Sequence, residues 1–315
     1  MEFEWRRVGG TETSRSSAGI ARYTMSAAAI GAAITATSWP VAAPPIGTMI
    51  AYVVPFREPD KGGQGMEPES YSFFKIDITD GIATAMFNRP EVGNRWALAE
   101  EHELFRLPVD VGADPDIKAV ILTGAGDSFC GGAHHSDDPF DAFDYYDRSC
   151  RLFGGFMNID KPVVVAVNGA IGGSGLTLAM FGDIVVAERH VTFGDPHVKV
   201  GVASATGPFQ WPPSVGLMRA KRYLLTGDTF SAEEAERMGL ISEVVDTGRS
   251  VERANEYARQ LADLPPAAVQ ATKRALNQWL RMGFGPIFQH ALSLEFMTFP
   301  VALLNYGAGA DTPQH

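Results

Sequence analysis

The segment AVNGAIGGSGLTLAM, residues 166–180, places four glycines and a serine between a strand-like apolar run and a helix-like apolar run. Glycine inside an element costs about 0.5–1 kcal/mol relative to alanine, because it loses more backbone freedom on folding. The run therefore indicates a need for bare backbone. Either the chain makes tight strand-to-helix turns there, or another group approaches its N–H groups closely.

Histidine is the second residue type that could carry chemistry. An imidazole has an ordinary pKa of about 6.5, so it can accept a proton near neutral pH. His197 lies in FGDPHVKVG, and His134 and His135 follow two glycines in FCGGAHH. The seven histidines and two cysteines show no metal-ligand spacing, so we expect no metal site.

The elements around these residues alternate between strands and helices. Two β-rich runs flank Asp80-Gly81, a pair typical of a two-residue hairpin turn. Short apolar runs predict strands at 119–124, 163–169 and 183–188, and helical patterns occupy 96–111 and 140–157. From Ser231 the chain is mostly helical, and Ser231 with Glu234 forms a capping box. The pattern predicts an α/β core followed by a C-terminal helical region.

Composition narrows the class of protein. The 315 residues are 45% hydrophobic and 20% charged, as in ordinary globular proteins. A net charge of −11 argues against a nucleic-acid partner. Cys130 and Cys150 give no disulfide framework, so we expect a reduced, cytoplasmic protein.

Residues 1–68 differ from the rest and are rich in small residues and prolines. Their apolar part is too weakly hydrophobic, and too interrupted by proline, for a membrane span. A signal-peptide core is one interpretation; the favoured one is a disordered extension or sequence upstream of a start at Met66. We therefore divide the chain into an extension (1–68), a core (69–230) and a helical region (231–315).

Six blocks between residues 71 and 297 together resemble the crotonase (enoyl-CoA hydratase/isomerase) superfamily. They are FNRPEVGN, AVILTGAGDSFCGGA, KPVVVAVNGAIGGSGLTLAM, FGDIVVAE, FGDPHVKVGV and YLLTGDTFSAEEAERMGLISEVV. The resemblance implies a spiral of ββα turns with a C-terminal helical trimerisation region, in a homotrimer or a hexamer of two trimers. It also implies an acyl thioester of coenzyme A as the ligand, with coenzyme A as part of the substrate and no permanently bound cofactor.

The resemblance further implies an oxyanion hole. Its two donors would be the backbone N–H groups of Ala133 and Ser174, beside the positive end of a helix beginning near Ser174. Loss of one such donor can cost about 2.7–4 kcal/mol in transition-state stabilisation. The implied substrate and coenzyme A contacts are Gly131, Gly132, His135, Gly172, Gly173 and Val92.

The chain departs from the family where two catalytic glutamates are expected. Thr177 and His197 stand at those positions. Thr177 shares a helical face with Ser174 and can hold a water or substrate oxygen, but it is a poor base. His197 can act as the base, and Asp195 can orient it only if the loop turns back. His134 replaces a frequent aspartate; it is a further catalytic candidate, and stacking or simple solvation stays open.

The chain also departs from the family's charged C-terminal helix and from the acid pattern of the related β-diketone hydrolases. The final segment lacks the usual charged helix, and Lys273 and Arg274 are interpreted as a solvated helix face. Part of the His197 segment resembles β-diketone hydrolases, which use histidine and aspartate. Their acid lies in the following loop, whereas residues 202–213 hold no carboxylate here.

Three hypotheses follow. The first is an isomerase or lyase on acyl-CoA in fatty acid metabolism, catalysing double-bond isomerisation, C–C cleavage or decarboxylation in preference to two-glutamate hydration. The second is a non-catalytic acyl-CoA binding protein. The third is a β-diketone hydrolase that is independent of coenzyme A.

Overall fold

A computed structural model describes residues 65–134 and 141–306 of the chain. The expectations for the extension up to residue 64, for His135 and for residues 307–315 lie outside the described residues. None of the described helices combines the length and the apolar composition that crossing a membrane requires.

The described residues build one main sheet from six strands. In spatial order these are β1 (Phe74–Thr79), β2 (Ile82–Phe87), β3 (Ala119–Gly124), β5 (Val163–Val167), β7 (Ile184–Glu188) and β10 (Glu243–Val245). β1 and β2 pair antiparallel, and every other neighbouring pair is parallel. The predicted hairpin is confirmed, since Asp80 and Gly81 both have the positive φ of a type I′ turn.

Short strands form two smaller pairs beside the main sheet. They are β4 (Ser128–Cys130) with β6 (Ala170–Ile171), and β8 (Thr192–Phe193) with β9 (Phe230–Ser231). The helices are α1 (Glu101–Ala113), α2 (Ala142–Met157), α3 (Gly173–Ala179), α4 (Gly207–Val215), α5 (Leu217–Thr226), α6 (Ala232–Met238), α7 (Ser250–Ala262), α8 (Pro266–Leu276), α9 (Gln278–Gly283) and α10 (His290–Tyr306). Two strands are repeatedly followed by a helix, so the predicted ββα spiral with a helical C-terminal region is confirmed.

Both faces of the main sheet are buried, as its nearly continuous apolar strands require. On one face, Val120 and Leu122 of β3 join the large core cluster. On the other face, Ile121 of β3 packs in a second cluster with Ala254 and Ala258 of α7. Small residues on α7 let that helix lie close against the strands.

Polar side chains cap the first turns of two of the described helices. The Asp141 side chain accepts hydrogen bonds from the N–H groups of Phe143 and Asp144 at the start of α2. One hydrogen bond of the predicted capping box is present at the start of α6, since the N–H group of Glu234 donates to the Ser231 hydroxyl at 3.2 Å. α1 begins at Glu101, five residues later than expected, since Trp96 instead bridges to Ala133.

The interpretation of Lys273 as a solvated residue was wrong. Its side chain is buried, and Nζ donates to Asp183 Oδ2 at 2.6 Å and to the Lys161 carbonyl at 2.9 Å. Asp183 Oδ2 also accepts from Val163 N–H, so this contact joins α8 to the start of β5. Arg274 does lie at the surface, paired with Asp160 at 2.6 Å.

Backbone approaches backbone where β4 and the adjoining loop meet α3. A Cβ at Gly175 would lie 2.2 Å from the Cys130 carbonyl oxygen, and one at Gly132 would lie 2.6 Å from the Ser174 nitrogen. At Gly169 it would lie 2.0 Å from the Asp127 oxygen. These distances are too short for any side chain, so the glycines permit close approach as well as turning.

Gly175→Ala and Gly172→Ala form a matched test of this packing. We expect Gly175→Ala to lower the free energy of unfolding by about 2 kcal/mol or more, because its methyl group would meet fixed backbone. Gly172 has extended backbone and no atom within 4 Å of a Cβ position, so Gly172→Ala should cost less than about 1 kcal/mol. Urea denaturation of both variants measures the difference, and equal midpoints would contradict the account.

Candidate active site

Two glycine-containing loops form one wall of the site. Residues 131–133 follow β4, and residues 172–175 open α3. Trp96 holds the first loop, since its N–H donates to the Gly132 carbonyl at 3.1 Å and its carbonyl accepts from His134 N–H at 2.7 Å. Gly132 adopts φ +88°, a left-handed conformation that suits glycine.

The N–H groups of Ala133 and Ser174 are available to a ligand. No acceptor for either group is present in the described ranges 65–134 and 141–306. By contrast, the next two N–H groups of α3, from Gly175 and Leu176, both donate to the Gly172 carbonyl. Since Gly132 lies directly against the Ser174 nitrogen, the two loops are neighbours.

A histidine–aspartate pair stands near the second loop. Asp195 Oδ1 pairs with Nδ1 of His197 and also accepts its backbone N–H at 3.2 Å. The second carboxylate oxygen accepts from the Ser204 hydroxyl at 2.5 Å. Pro196 turns the chain into a short 3₁₀ turn, His197–Val200, and so brings the two side chains together. The loop therefore turns back as Asp195 would need in order to orient His197.

The two members of this pair shift each other's proton affinity. Burial opposes ionisation of Asp195, but the hydrogen bond and charge of His197 outweigh it and lower the pKa of that carboxyl. Burial also disfavours the charged imidazole, yet Asp195 raises the pKa of His197 above its ordinary value, with help from the charge of Glu295. The protonated imidazole therefore persists to a higher pH than in an isolated histidine.

A pocket joins this pair to α3. Its lining residues are Gly173, Leu176, Thr177, Gly194, Asp195, His197, Thr206, Gln210 and Trp211. The Thr177 and Thr206 hydroxyls share a hydrogen bond of 2.8 Å, and Gln210 Nε2 donates to the Thr177 carbonyl at 3.0 Å. The structure thus brings Thr177, His197 and Gly173 together.

Other predicted site residues lie elsewhere. His134 directly follows Ala133 but is exposed, and it does not line this pocket. Val92 ends a 3₁₀ turn and is 42% exposed. The N–H group of Gly131 donates to the Gly93 carbonyl at 2.9 Å. A Cβ atom at Gly131 would meet the side chain of Arg95.

Sequence reasoning missed several residues of the site. The Asp-Pro step at 195–196 is a turn signal that predicts the folding back of Asp195. Ser204, Thr206 and Gln210 carry no such signal. Glu295, which is 5% exposed and near enough to influence His197, comes from the distant helix α10. Its place depends on tertiary packing alone.

A match to a protein-family model shows which family this chain belongs to. The model described as enoyl-CoA hydratase/isomerase covers residues 77–290. The chain belongs to the enoyl-CoA hydratase/isomerase family, within the crotonase superfamily. A relative from Thauera aromatica named (E)-benzylidenesuccinyl-CoA hydratase is 34% identical, over 69% of this chain and 88% of the relative.

Two further proteins are similar to this chain, one in sequence and one in structure. The 1,2-epoxyphenylacetyl-CoA isomerase of Escherichia coli is 33% identical over 65% of this chain and 82% of its own length. The crystal structure of an enoyl-CoA hydratase/isomerase from Mycobacterium paratuberculosis has a TM-score of 0.67 and 32% identity. That match spans 72% of this chain and 93% of the crystallised one.

Asp195→Asn tests the origin of the raised pKa of His197. The amide keeps an acceptor oxygen but loses the charge, so we expect the pKa of His197 to fall by about one unit or more. NMR titration of the His197 ring measures the midpoint. Asp246→Asn, on an exposed carboxylate, is the control and should leave it in place. Equal midpoints in Asp195→Asn and the unmodified protein would refute the assignment.

Proposed function

We propose that this protein is an enzyme that acts on acyl-CoA thioesters by stabilising an enolate, with double-bond isomerisation as its reaction. The observation that carries the proposal is that Gly173, which precedes the available N–H group of Ser174, lines one pocket with the His197–Asp195 pair. Such a site can polarise a carbonyl group and exchange a proton beside it.

The N–H groups of Ala133 and Ser174 would bind the thioester carbonyl oxygen. Removal of a proton next to a thioester moves negative charge onto that oxygen, and donors already in place stabilise the charge without reorganisation. Gly172, on the second loop, has no atom within 4 Å of a Cβ position, which would leave room for the thioester to reach the backbone there. Ser174 can serve as the donor because its N–H, and not its side chain, would make the bond.

His197 would be the group that exchanges the proton. Asp195 holds Nδ1, which leaves Nε2 for the substrate. A single base that removes a proton from one carbon and returns it to another suffices for isomerisation, whereas hydration by two glutamates needs a pair of acids. C–C cleavage and decarboxylation use the same enolate and belong to the same proposed class. Thr177 would hold a water or a substrate oxygen.

The ligand assignment draws on the named relatives and on local charge. Both relatives reported above carry a coenzyme A thioester in their names. Arg95, an exposed cation, packs against Gly131 beside the first loop. A local cation suits the phosphates of coenzyme A despite the net charge of −11. We also propose a trimeric assembly, or a hexamer of two trimers.

A second candidate is a β-diketone hydrolase independent of coenzyme A. The His197–Asp195 pair favours it, because a histidine oriented by an aspartate can activate water for attack on a carbonyl. In such a hydrolase, Asp195 would supply the acid that residues 202–213 lack. A protein that binds acyl-CoA without converting it is the third outcome that experiments must separate.

Thermal unfolding with a panel of short and medium 2-enoyl-CoA and 3-enoyl-CoA thioesters tests the ligand class. A thioester at 100 times its Kd should stabilise the protein by about 2.7 kcal/mol. Free coenzyme A and the unesterified acids are the controls and should stabilise it less. If no thioester raises the Tm while a diketone does, the hydrolase assignment replaces this one.

Turnover of 3-enoyl-CoA to 2-enoyl-CoA, followed by the absorbance of the conjugated thioester, tests the reaction. We expect His197→Gln to reduce kcat by about 10²- to 10⁴-fold, since the imidazole is the proposed proton acceptor. Thioester binding should be retained. Binding without turnover of any thioester by the unmodified protein would favour the non-catalytic alternative, and equal rates in the variant would exclude His197 as the base.

A further inference from the structure

Helix α10 carries a buried carboxyl group that the proposed reaction does not use. Glu295 is 5% exposed although glutamate is rarely buried without a partner. The next residue, Phe296, packs edge-on against the Tyr145 ring of α2, with 5.5 Å between the ring centroids. This face of α10 therefore points into the protein.

A hydrogen bond ties the same turn of α10 to the loop that follows His197. Ala203 N–H donates to Thr298 Oγ1 at 2.9 Å, and the Thr298 hydroxyl donates to the Glu295 carbonyl at 2.8 Å. Ser204, next to Ala203, bonds to Asp195. Two successive loop residues thus connect to α10 and to the histidine–aspartate pair, which places the turn of α10 that carries Glu295 beside that pair.

The Glu295 carboxyl has no hydrogen-bond donor or ion-pair partner within the described segments of the chain. The charged or titratable groups that act on it are His197 and Asp195 on the loop, and it acts in turn on Tyr145 of α2. Burial raises the pKa of Glu295 from 4.5 to about 7, with His197 lowering it and Asp195 raising it. Arg148 and Glu101 also act on Tyr145.

The carboxyl groups of Asp195 and Glu295 both act on the His197 imidazole, but their own pKa values shift in opposite directions. Asp195 is hydrogen-bonded to Nδ1 and stays ionised, because its pKa is lowered. Glu295 makes no such bond and has a pKa raised to about 7, while the negative charges of both carboxylates raise the pKa of His197 above its ordinary value. Groups that interact in this way exchange protons as a coupled set.

We propose that Glu295 is a positioning residue of this site, a second counter-ion that acts through His197 and sets the pH at which the imidazole takes up and returns a proton. The catalytic meaning of this inference rests on the proposed function, whereas the charge coupling does not. A purely structural Glu295 would fill space without altering the titration of His197.

NMR titration of the His197 ring in Glu295→Gln tests the coupling directly. Loss of the second negative charge should lower the titration midpoint by about half a pH unit or more. It should also turn a broadened, coupled curve into a single-site one. Glu295→Asp keeps the charge and should restore part of the shift. His190, an exposed histidine, is the internal reference.

Glu252→Gln is the matched control, because Glu252 is an exposed carboxylate paired with Arg249. It should leave the His197 midpoint unchanged. A midpoint in Glu295→Gln equal to that of the unmodified protein overturns the proposal, and so does an equal shift in Glu252→Gln.

Glu295→Gln should fold, since an amide closely resembles the protonated carboxyl group that no described donor contacts. A carboxyl with a raised pKa holds a proton in the native state that the unfolded chain has already released. The stability of the unmodified protein should therefore lose this contribution as the pH rises from about 4.5 to about 7. Glu295→Gln should lack that loss of stability. Urea denaturation at several pH values measures the difference and also shows that the variant is folded.

Activity separates the two proposals. In the unmodified enzyme the rate should rise with pH as His197 loses its proton, and in Glu295→Gln this rise should move to lower pH. If the His197 midpoint shifts but no thioester is turned over, the coupling stands and the proposed reaction fails. If turnover is present and the midpoint is unmoved, the reaction stands and the role of Glu295 fails.

Discussion

The close approach of two backbone segments, residues 130–133 and 172–175, is the constraint on which the rest of the site depends. Cys130 and Gly175 come so close that a methyl group at Gly175 would overlap a carbonyl oxygen, and Gly132 faces the Ser174 nitrogen in the same way. Side chains at these glycines would push the two segments apart. The proposed oxyanion hole, which needs N–H groups from both loops to reach one oxygen atom, would then be lost.

The parallel strands explain why the parts of the site meet. β3, β5 and β7 are neighbours in the sheet, and the chain leaves each of them at the same edge. The segments that follow carry the loop of Ala133, the start of α3 and the Asp195–His197 turn. This edge of a parallel sheet is where ligands bind in open α/β proteins. The C-terminal helices then add Glu295 from outside the sheet, and Lys273 anchors α8 near the beginning of β5.

Much of this arrangement is predictable from local sequence. Asp80-Gly81 specifies its hairpin, the apolar runs specify the buried strands, and the glycines at 172–175 indicate bare backbone. The pairing of Asp195 with His197 also had a local signal in the intervening proline, since an Asp-Pro step favours a turn. Lys273 and Glu295 had none. A lysine on a helix is usually solvated, and only the docking of α8 and α10 on remote strands and loops determines that these two side chains are buried.

The infrared spectrum of a bound thioester tests the central claim most directly, namely that the Ala133 and Ser174 N–H groups hold the thioester oxygen. A saturated acyl-CoA labelled with ¹³C at the thioester carbonyl binds without reacting, and its carbonyl stretch reports hydrogen bonding. The account predicts a stretch at lower frequency in the complex than in water, and an equal shift in Ser174→Ala, which keeps the backbone N–H. A stretch at or above its frequency in water would contradict the account.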